Sequence, residues 1–373
     1  MIEAVRALAA GIEAQSERIE RDRRLPIDLV RTLSRTGVFR LCVPRALGGE
    51  EAEPATLLAV VEELSRADGS TGWCAMIGAT SGLLSAYLPE DEARAIYGAS
   101  PDVISGGVFA PSAHAVLRGG QYRVNGRWRF ASGCQHCDWL MGGCVVQGDG
   151  PPQARMVLFP AGAAEIIDTW TVSGLRGTGS HDIAVRDLVV PATRSASLTH
   201  DRPVATGALY AFPLFGLLAI GIAAVALGIA RRALDEIVAL AGAKTPTAGR
   251  RTLAERSTVQ AQVAEAEAAV GAARAFLHEV VGVAWAAARD RGTIDVPLRA
   301  RLRLAATHAT AASARAVDVA YTAGGGTSVY AVSPLQRAFR DVHVVTQHMM
   351  VAPATWEFVG RVLLGLETDT TML

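Results

Sequence analysis

The stretch Tyr321-Thr-Ala-Gly-Gly-Gly-Thr-Ser-Val-Tyr-Ala-Val-Ser-Pro-Leu-Gln-Arg-Ala-Phe-Arg-Asp-Val-His-Val-Val-Thr-Gln-His348 decides how the rest of the chain is read. A glycine triplet, Gly324 to Gly326, closes one helical pattern, and Ser333-Pro334 opens the next. That second pattern carries Arg337, Arg340, Asp341, His343 and His348. Such a junction can bring bare backbone and a titratable ring to one ligand. Taken alone, it is equally a helix–helix turn followed by a solvated helix start.

Outward from this junction the sequence has three textures. Residues 209–241, 253–290, 296–321 and 335–364 keep a helical period over long, alanine-rich pieces, and four such helices pack most economically as an antiparallel bundle. Residues 211–230 lack charge and are long enough to cross a bilayer, but they run straight into Arg231-Arg232 and read as a buried core helix. Before the bundle, alternating segments at 103–109, 113–118, 122–131, 139–146, 155–159 and 183–190 read as strands, with Gly119-Gly120 and Asn125-Gly126 as turns. The first hundred residues are helical again, at 2–24, 26–36, 54–67, 71–87 and 89–97. The fold class is therefore α+β, mainly α: a helical domain over 1–100, a small β domain over 101–195 and a four-helix bundle over 196–373.

Composition excludes several classes of function. With 373 residues, 50% hydrophobic and 19% charged, the chain can bury a large core and is not disordered. A formal net charge of zero gives no basic field for nucleic acid or a membrane surface. Five cysteines and no legible signal peptide predict a reducing cytoplasm and no disulfide framework. Lys244 is the single lysine, a bias toward arginine without mechanistic content.

Four motifs carry a resemblance. They are Asp68-Gly-Ser-Thr-Gly-Trp73, Asn125-Gly-Arg-Trp-Arg-Phe-Ala-Ser-Gly133, Gly174-Leu-Arg-Gly-Thr-Gly-Ser180 with Asp182, and Arg340-Asp341 after the glycine triplet. With the order of domains, they make the chain resemble the acyl-CoA dehydrogenase superfamily over nearly its whole length. The resemblance implies a flavin between the β domain and the bundle, and a homo-oligomer, normally a tetramer.

The dehydrogenases of that superfamily carry a glutamate that removes a proton from the acyl chain. Pro334 and Arg340-Asp341 set the register, and Val332 stands where that glutamate belongs. The alternative site for the base falls near Pro246-Thr247, and the Arg-x-x-Phe-Gly segment that helps hold FAD is replaced by Gly249-Arg250-Arg251 at shifted positions. The chain looks instead like the oxygenase components of two-component flavin monooxygenases. That branch implies reduced FMN or FADH2 supplied by a separate flavin reductase, O2 as co-substrate, a C4a-hydroperoxide, and hydroxylation of a small aromatic or heteroatom substrate. Its pattern Arg-x-x-x-x-x-x-x-His is met by Arg340 and His348.

These implications assign the residues. His348 is expected to act as a base on the substrate, since imidazole titrates in the working range and an electron-rich substrate reacts faster. His343, on the same expected helix and about 140° away around its axis, is read as structural. Phe130-Ala131-Ser132 takes the place of a Trp-Ile-Thr segment that lies against the flavin ring, so Phe130, Ser132 and Gly133 are expected at the cofactor and Ser132 at its N5 atom. Trp170, Gly325, Gly326 and Arg340 complete the expected cofactor contacts. Trp73, Met76, Phe109 and Val332 are expected to wall the substrate pocket. A satisfied core histidine and a strand-end serine are the competing readings of His348 and Ser132. No metal is expected: Cys134-Gln-His-Cys137 lacks two further ligands, and His278-Glu279 lacks a second histidine. Gly177-Thr-Gly-Ser180 and Gly242-Ala-Lys-Thr245 lack the context of nucleotide loops. Two alternatives stay open: an acyl-CoA dehydrogenase with a displaced base, and a catalytically idle flavin-binding homologue.

Overall fold

The computed structural model describes residues 1–147, 152–247 and 249–373. The chain starts with α1 (Ile2–Glu13) and α2 (Ser16–Asp22), where the sequence predicts one helix. The break falls where the Gln15 amide donates to the Gly11 carbonyl at 3.1 Å and competes with the helical ladder. Helices α3 (Ile27–Ser34), α4 (Pro54–Ala67), α5 (Gly69–Ser81) and α6 (Glu90–Tyr97) follow. Helix α4 begins at Pro54, as its N-terminal proline dictates, and α5 is capped by Asp68, whose carboxylate accepts from the Thr71 N–H at 2.8 Å.

One seven-stranded sheet forms the middle of the chain, from β1 (Ser105–Arg118), β2 (Gln121–Ala131), β3 (Trp139–Gln147), β4 (Gln153–Pro160), β5 (Glu165–Ile167), β6 (His181–Pro191) and β7 (Ser195–Ala196). Its order is β5-β6-β2-β1-β3-β4-β7, with β1 and β3 parallel and the other pairs antiparallel. The two strands expected at 103–109 and 113–118 are one strand, with its register against β3 shifted between Val108 and Pro111. That shift carries Phe109 out of the sheet, and its ring meets Phe215 of the bundle edge-on at 5.4 Å. Gly119-Gly120 makes the hairpin turn, both residues having positive φ. Asn125-Gly126 is not a turn: it lies inside β2 at a register shift against β6, and Asn125 bonds Asp187.

A short helix, α7 (Ala208–Ala211), leads into the long helices α8 (Leu214–Ala243), α9 (Ser257–Arg291) and α10 (Val296–Gly324). The uncharged helix α8 is the centre of the core, with 83% of its most apolar stretch buried, and it packs against α10, α4, α5, α9 and α11. Each of its buried Leu and Ile side chains stabilises by about 1.5–3 kcal/mol, which accounts for its apolarity without a membrane. The fourth bundle helix is two pieces, α11 (Pro334–Val345) and α12 (Ala354–Leu363). His348 thus sits in the intervening turn, not on a helix shared with His343. Pro353 is the N-cap of α12, where its missing N–H costs no ladder bond, and in the turn before it the Met350 N–H is held by His348 Nδ1.

Candidate functional site

Helix α5 is buried on every side, which fixes Trp73 with only 7% of its surface exposed. The Trp73 indole Nε1–H donates to the Ser132 hydroxyl at 3.0 Å. Ser132 sits just past β2, where Phe130 and Gly133 both take left-handed backbone, at φ 65° and 73°. The His348 ring meets the Trp73 ring edge-on at 5.6 Å. An indole, a hydroxyl and an imidazole from α5, the end of β2 and the α11–α12 turn thereby converge.

His348 is held from behind. Its Nδ1 accepts the Met350 N–H at 3.3 Å, and the Met350 carbonyl accepts from the Arg303 guanidinium at 3.2 and 3.1 Å. Arg303 is a buried cation on α10 whose remaining nitrogen donates to the Met372 carbonyl. Burial, and then the nearby Arg303 charge, lower the His348 pKa to about 4, so the ring is neutral at physiological pH. With Nδ1 accepting, the hydrogen of the neutral ring resides on Nε2.

The other wall is the segment before β6. Asp341 of α11 accepts the Leu175 N–H at 2.6 Å and holds Leu175 in left-handed backbone at φ 48°. A Cβ on Gly174 would run into the Arg340 carbonyl, so this approach of α11 to the segment requires glycine. The Leu175 carbonyl then accepts three donors, Trp170 Nε1–H at 3.0 Å, the Thr178 hydroxyl at 2.8 Å and the Thr178 backbone N–H at 3.1 Å. Thr178 and Ser180 hydroxyls are 2.7 Å apart, as are those of Ser180 and Ser132. Buried Asp341 is raised to about 7, first by desolvation, against the lowering pull of its Leu175 bond.

Phe130 stands on the same rim, 67% exposed despite its strained backbone, with Trp170 perpendicular to it at 6.1 Å. An exposed phenyl ring, a tryptophan edge and a buried hydroxyl fit a flat, partly apolar ring system that carries an N–H. The site residues expected from sequence therefore fall into two groups. Trp73, Ser132 and His348 are brought together, with Phe130, Gly133 and Trp170 adjoining through Ser132 and the Leu175 carbonyl. Met76 is a wholly buried neighbour of α8.

The remaining expected residues are placed differently. Val332 is 74% exposed and borders a separate cleft of about 670 Å³ between α1, α4 and α11, lined by Glu13, Arg66, Asp68, Arg232 and Arg337. Gly325 and Gly326 are exposed at the end of α10, where Lys244 bonds the Gly324 carbonyl at 2.7 Å. Arg340 is engaged by Glu20, Gln336 and the Ser173 carbonyl. Its guanidinium pins the 170s segment. His343 pairs with Asp318 at 2.9 Å. A further cleft gathers Arg250, Arg251 and Arg256 at the start of α9.

Sequence reasoning missed Arg303, Thr178 and Ser180. An arginine between leucines in an alanine-rich helix, Leu302-Arg303-Leu304, is the signal for a buried cation. Two hydroxyls two residues apart in Gly177-Thr-Gly-Ser180 are the signal for the other pair.

Comparison with known proteins gives the family. Residues 1–91 match the family model described as acyl-CoA dehydrogenase, N-terminal domain, and residues 220–353 match acyl-CoA dehydrogenase, C-terminal domain. The chain is 36% identical over 366 residues to indole-3-acetate monooxygenase of Pseudomonas putida, covering 97% of this chain and 93% of that one. It is 32% identical over 382 residues to the oxygenase component of FADH2-dependent resorcinol hydroxylase of Rhizobium sp. (strain MTP-10005), covering 97% and 93%. XiaF from Streptomyces sp., solved in complex with FADH2 and glycerol, superposes with a TM-score of 0.92 at 26% identity, covering 99% of this chain and 96% of that one. The chain belongs to the acyl-CoA dehydrogenase superfamily, in its branch of flavin-dependent monooxygenase oxygenase components.

Proposed function

We propose that Trp73, Ser132 and His348 form the oxygenation site, and that its substrate is a small electron-rich aromatic of the indole or phenol class. The enzyme is a flavin-dependent monooxygenase whose reduced FMN or FADH2 comes from a separate reductase. Bound there, the reduced flavin supplies the electrons that activate O2 for insertion of one oxygen atom. The observation that carries the reading is the Trp73–Ser132 hydrogen bond at 3.0 Å with the His348 ring against the same indole.

Each residue has a distinct task. Ser132 would hold the flavin at N5, and Phe130 and Trp170 would give its ring an apolar bed. Trp73 walls the substrate side and, being buried, keeps water away. His348 was expected to be a base, but a ring that titrates near 4 is a weak acceptor of a phenol or indole proton. Its Nε2–H suits donation to a substrate oxygen or to the anion of an ionised substrate. We therefore assign it to orienting the substrate.

To test the assignment, the protein is mixed with reduced FMN, isotope-labelled O2 and either indole-3-acetate or resorcinol, the compounds named for two relatives. A product carrying one labelled oxygen is the expected outcome. Oxidation of the reduced flavin with all of the O2 consumed released as hydrogen peroxide, whatever aromatic is tried, together with turnover of acyl-CoA on an artificial acceptor, would sink the reading and favour the dehydrogenase.

A further inference from the structure

We infer that Thr178 and Ser180 fix the direction of the Ser132 hydroxyl, leaving it an acceptor toward the flavin, and that this polarity selects reduced over oxidised flavin. The inference rests on the reading that Ser132 faces flavin N5. Three buried hydroxyls run in line, Ser132, Ser180 and Thr178, at 5%, 3% and 1% exposure, and their ends are anchored by groups that cannot reverse. At one end the Leu175 carbonyl, an acceptor only, lies 2.8 Å from Thr178 Oγ1. Thr178 must donate there, so it accepts from Ser180, and Ser180 in turn accepts from Ser132. At the other end the Trp73 N–H, a donor only, takes one lone pair of Ser132.

The Ser132 proton is thus committed to Ser180, and one lone pair remains. Running the chain the other way would leave two oxygen lone pairs facing each other across the Thr178–Leu175 contact, in a site too dry for water to bridge them. The anchor itself is rigid, because Asp341 holds Leu175 by its N–H and Trp170 shares the same carbonyl. The chemistry of the flavin supplies the rest. N5 of a reduced flavin bears a hydrogen and donates, whereas N5 of an oxidised flavin has only a lone pair. A fixed acceptor attracts the first and repels the second. Thr178 and Ser180 are positioning residues in this arrangement, acting through Ser132.

The test compares dissociation constants for oxidised FMN in air and reduced FMN under anaerobic conditions, in the parent protein and four variants. Ser180→Ala frees the Ser132 proton to turn toward N5, so the preference for reduced flavin should narrow about tenfold. The midpoint potential of the bound flavin should fall by about 30 mV for the two-electron couple. Thr178→Val should act in the same direction, while Thr178→Ser, which keeps the hydroxyl, should retain the parent ratio. Ser132→Ala should narrow the ratio by removing the acceptor. If Ser132→Ala narrows it but Ser180→Ala and Thr178→Val do not, the polarity inference is wrong and the flavin contact stands. If Ser132→Ala leaves the ratio untouched, the flavin contact itself is wrong and the inference falls with it.

Discussion

The protonation state of His348 and the acceptor role of Ser132 lead to different experiments on one site. Because His348 is neutral above about 4 and has Nδ1 engaged by the Met350 N–H, the contribution proposed for it is a hydrogen bond donated from Nε2. His348→Gln, which keeps an N–H donor, should retain at least about a tenth of kcat/KM, while His348→Ala should lose roughly 10–100-fold, about 1.4–2.8 kcal/mol. A base would not survive either change, so equal losses in both variants would restore the base assignment. The pH–rate profile should likewise show no inflection that disappears in His348→Gln between about pH 5.5 and 8.5. Trp73→Phe removes the N–H donated to Ser132 and keeps a ring beside His348. Thermal or denaturant unfolding should report a loss of about 1 kcal/mol.

The elements around the site owe their placement to a few long-range contacts, and these divide what the sequence reveals from what it hides. The segment from Gly174 to Ser180 is positioned by α11, through the Asp341 carboxylate and the close approach of Gly174 to the Arg340 backbone. Gly174→Ala should therefore cost about 1–3 kcal/mol by overpacking and weaken flavin binding, although the residue touches no cofactor; unchanged flavin affinity in a folded variant would separate this segment from the site. Helix α4 and the strands β2 and β6 are legible because proline and alternation act over a few residues, whereas α5 starts under its Asp68 cap at Gly69, two residues before the expected Thr71, and ends at Ser81, short of the expected Tyr87. The break between α11 and α12 is hidden in the sequence, since the helical period of 335–345 resumes beyond it. Strands β5 and β7, at three and two residues, are too short for an alternating pattern to register. Ser132 and His348 are singled out by motif, and the structure brings both to Trp73. Their actual environment was not legible, because the Trp73 indole, Thr178, Ser180 and Arg303 reach them across the fold and leave no local spacing. The desolvation that keeps the His348 ring neutral, on which its proposed donor role rests, is of the same kind.

At the scale of the whole molecule, two half-buried imidazoles shape the response to acid. His136 and His348 are both lowered to about 4, by desolvation first, while an unfolded histidine titrates near 6.5. The unfolded state binds more protons between these values, so each ring removes stability as pH falls from about 6.5 to 4. The loss is roughly 1–3 kcal/mol per ring, because both keep some contact with solvent. Asp341, raised to about 7, acts in the opposite sense: the folded state holds its proton more tightly, and its contribution declines as pH rises toward 7. Chemical denaturation at pH 7 and 5 isolates one ring: His136→Gln should lose less stability on acidification than the parent, and an equal loss would place that ring in water. We also propose that the chain assembles as a homotetramer, a reading supported by Tyr330, Val332, Leu363 and Leu364, which are 68–76% exposed. Light scattering should give the tetramer mass, and Leu363→Asp with Leu364→Asp should lower it if α12 lies in an interface. The most direct measurement on the oxygenation site is a single turnover of reduced FMN with O2 and a hydroxylated aromatic, scored as product formed against hydrogen peroxide released. The expected result is that Ser132→Ala moves the balance toward peroxide by about tenfold or more while still binding flavin. An unchanged balance in that variant would contradict the placement of oxygen transfer beside Trp73, Ser132 and His348.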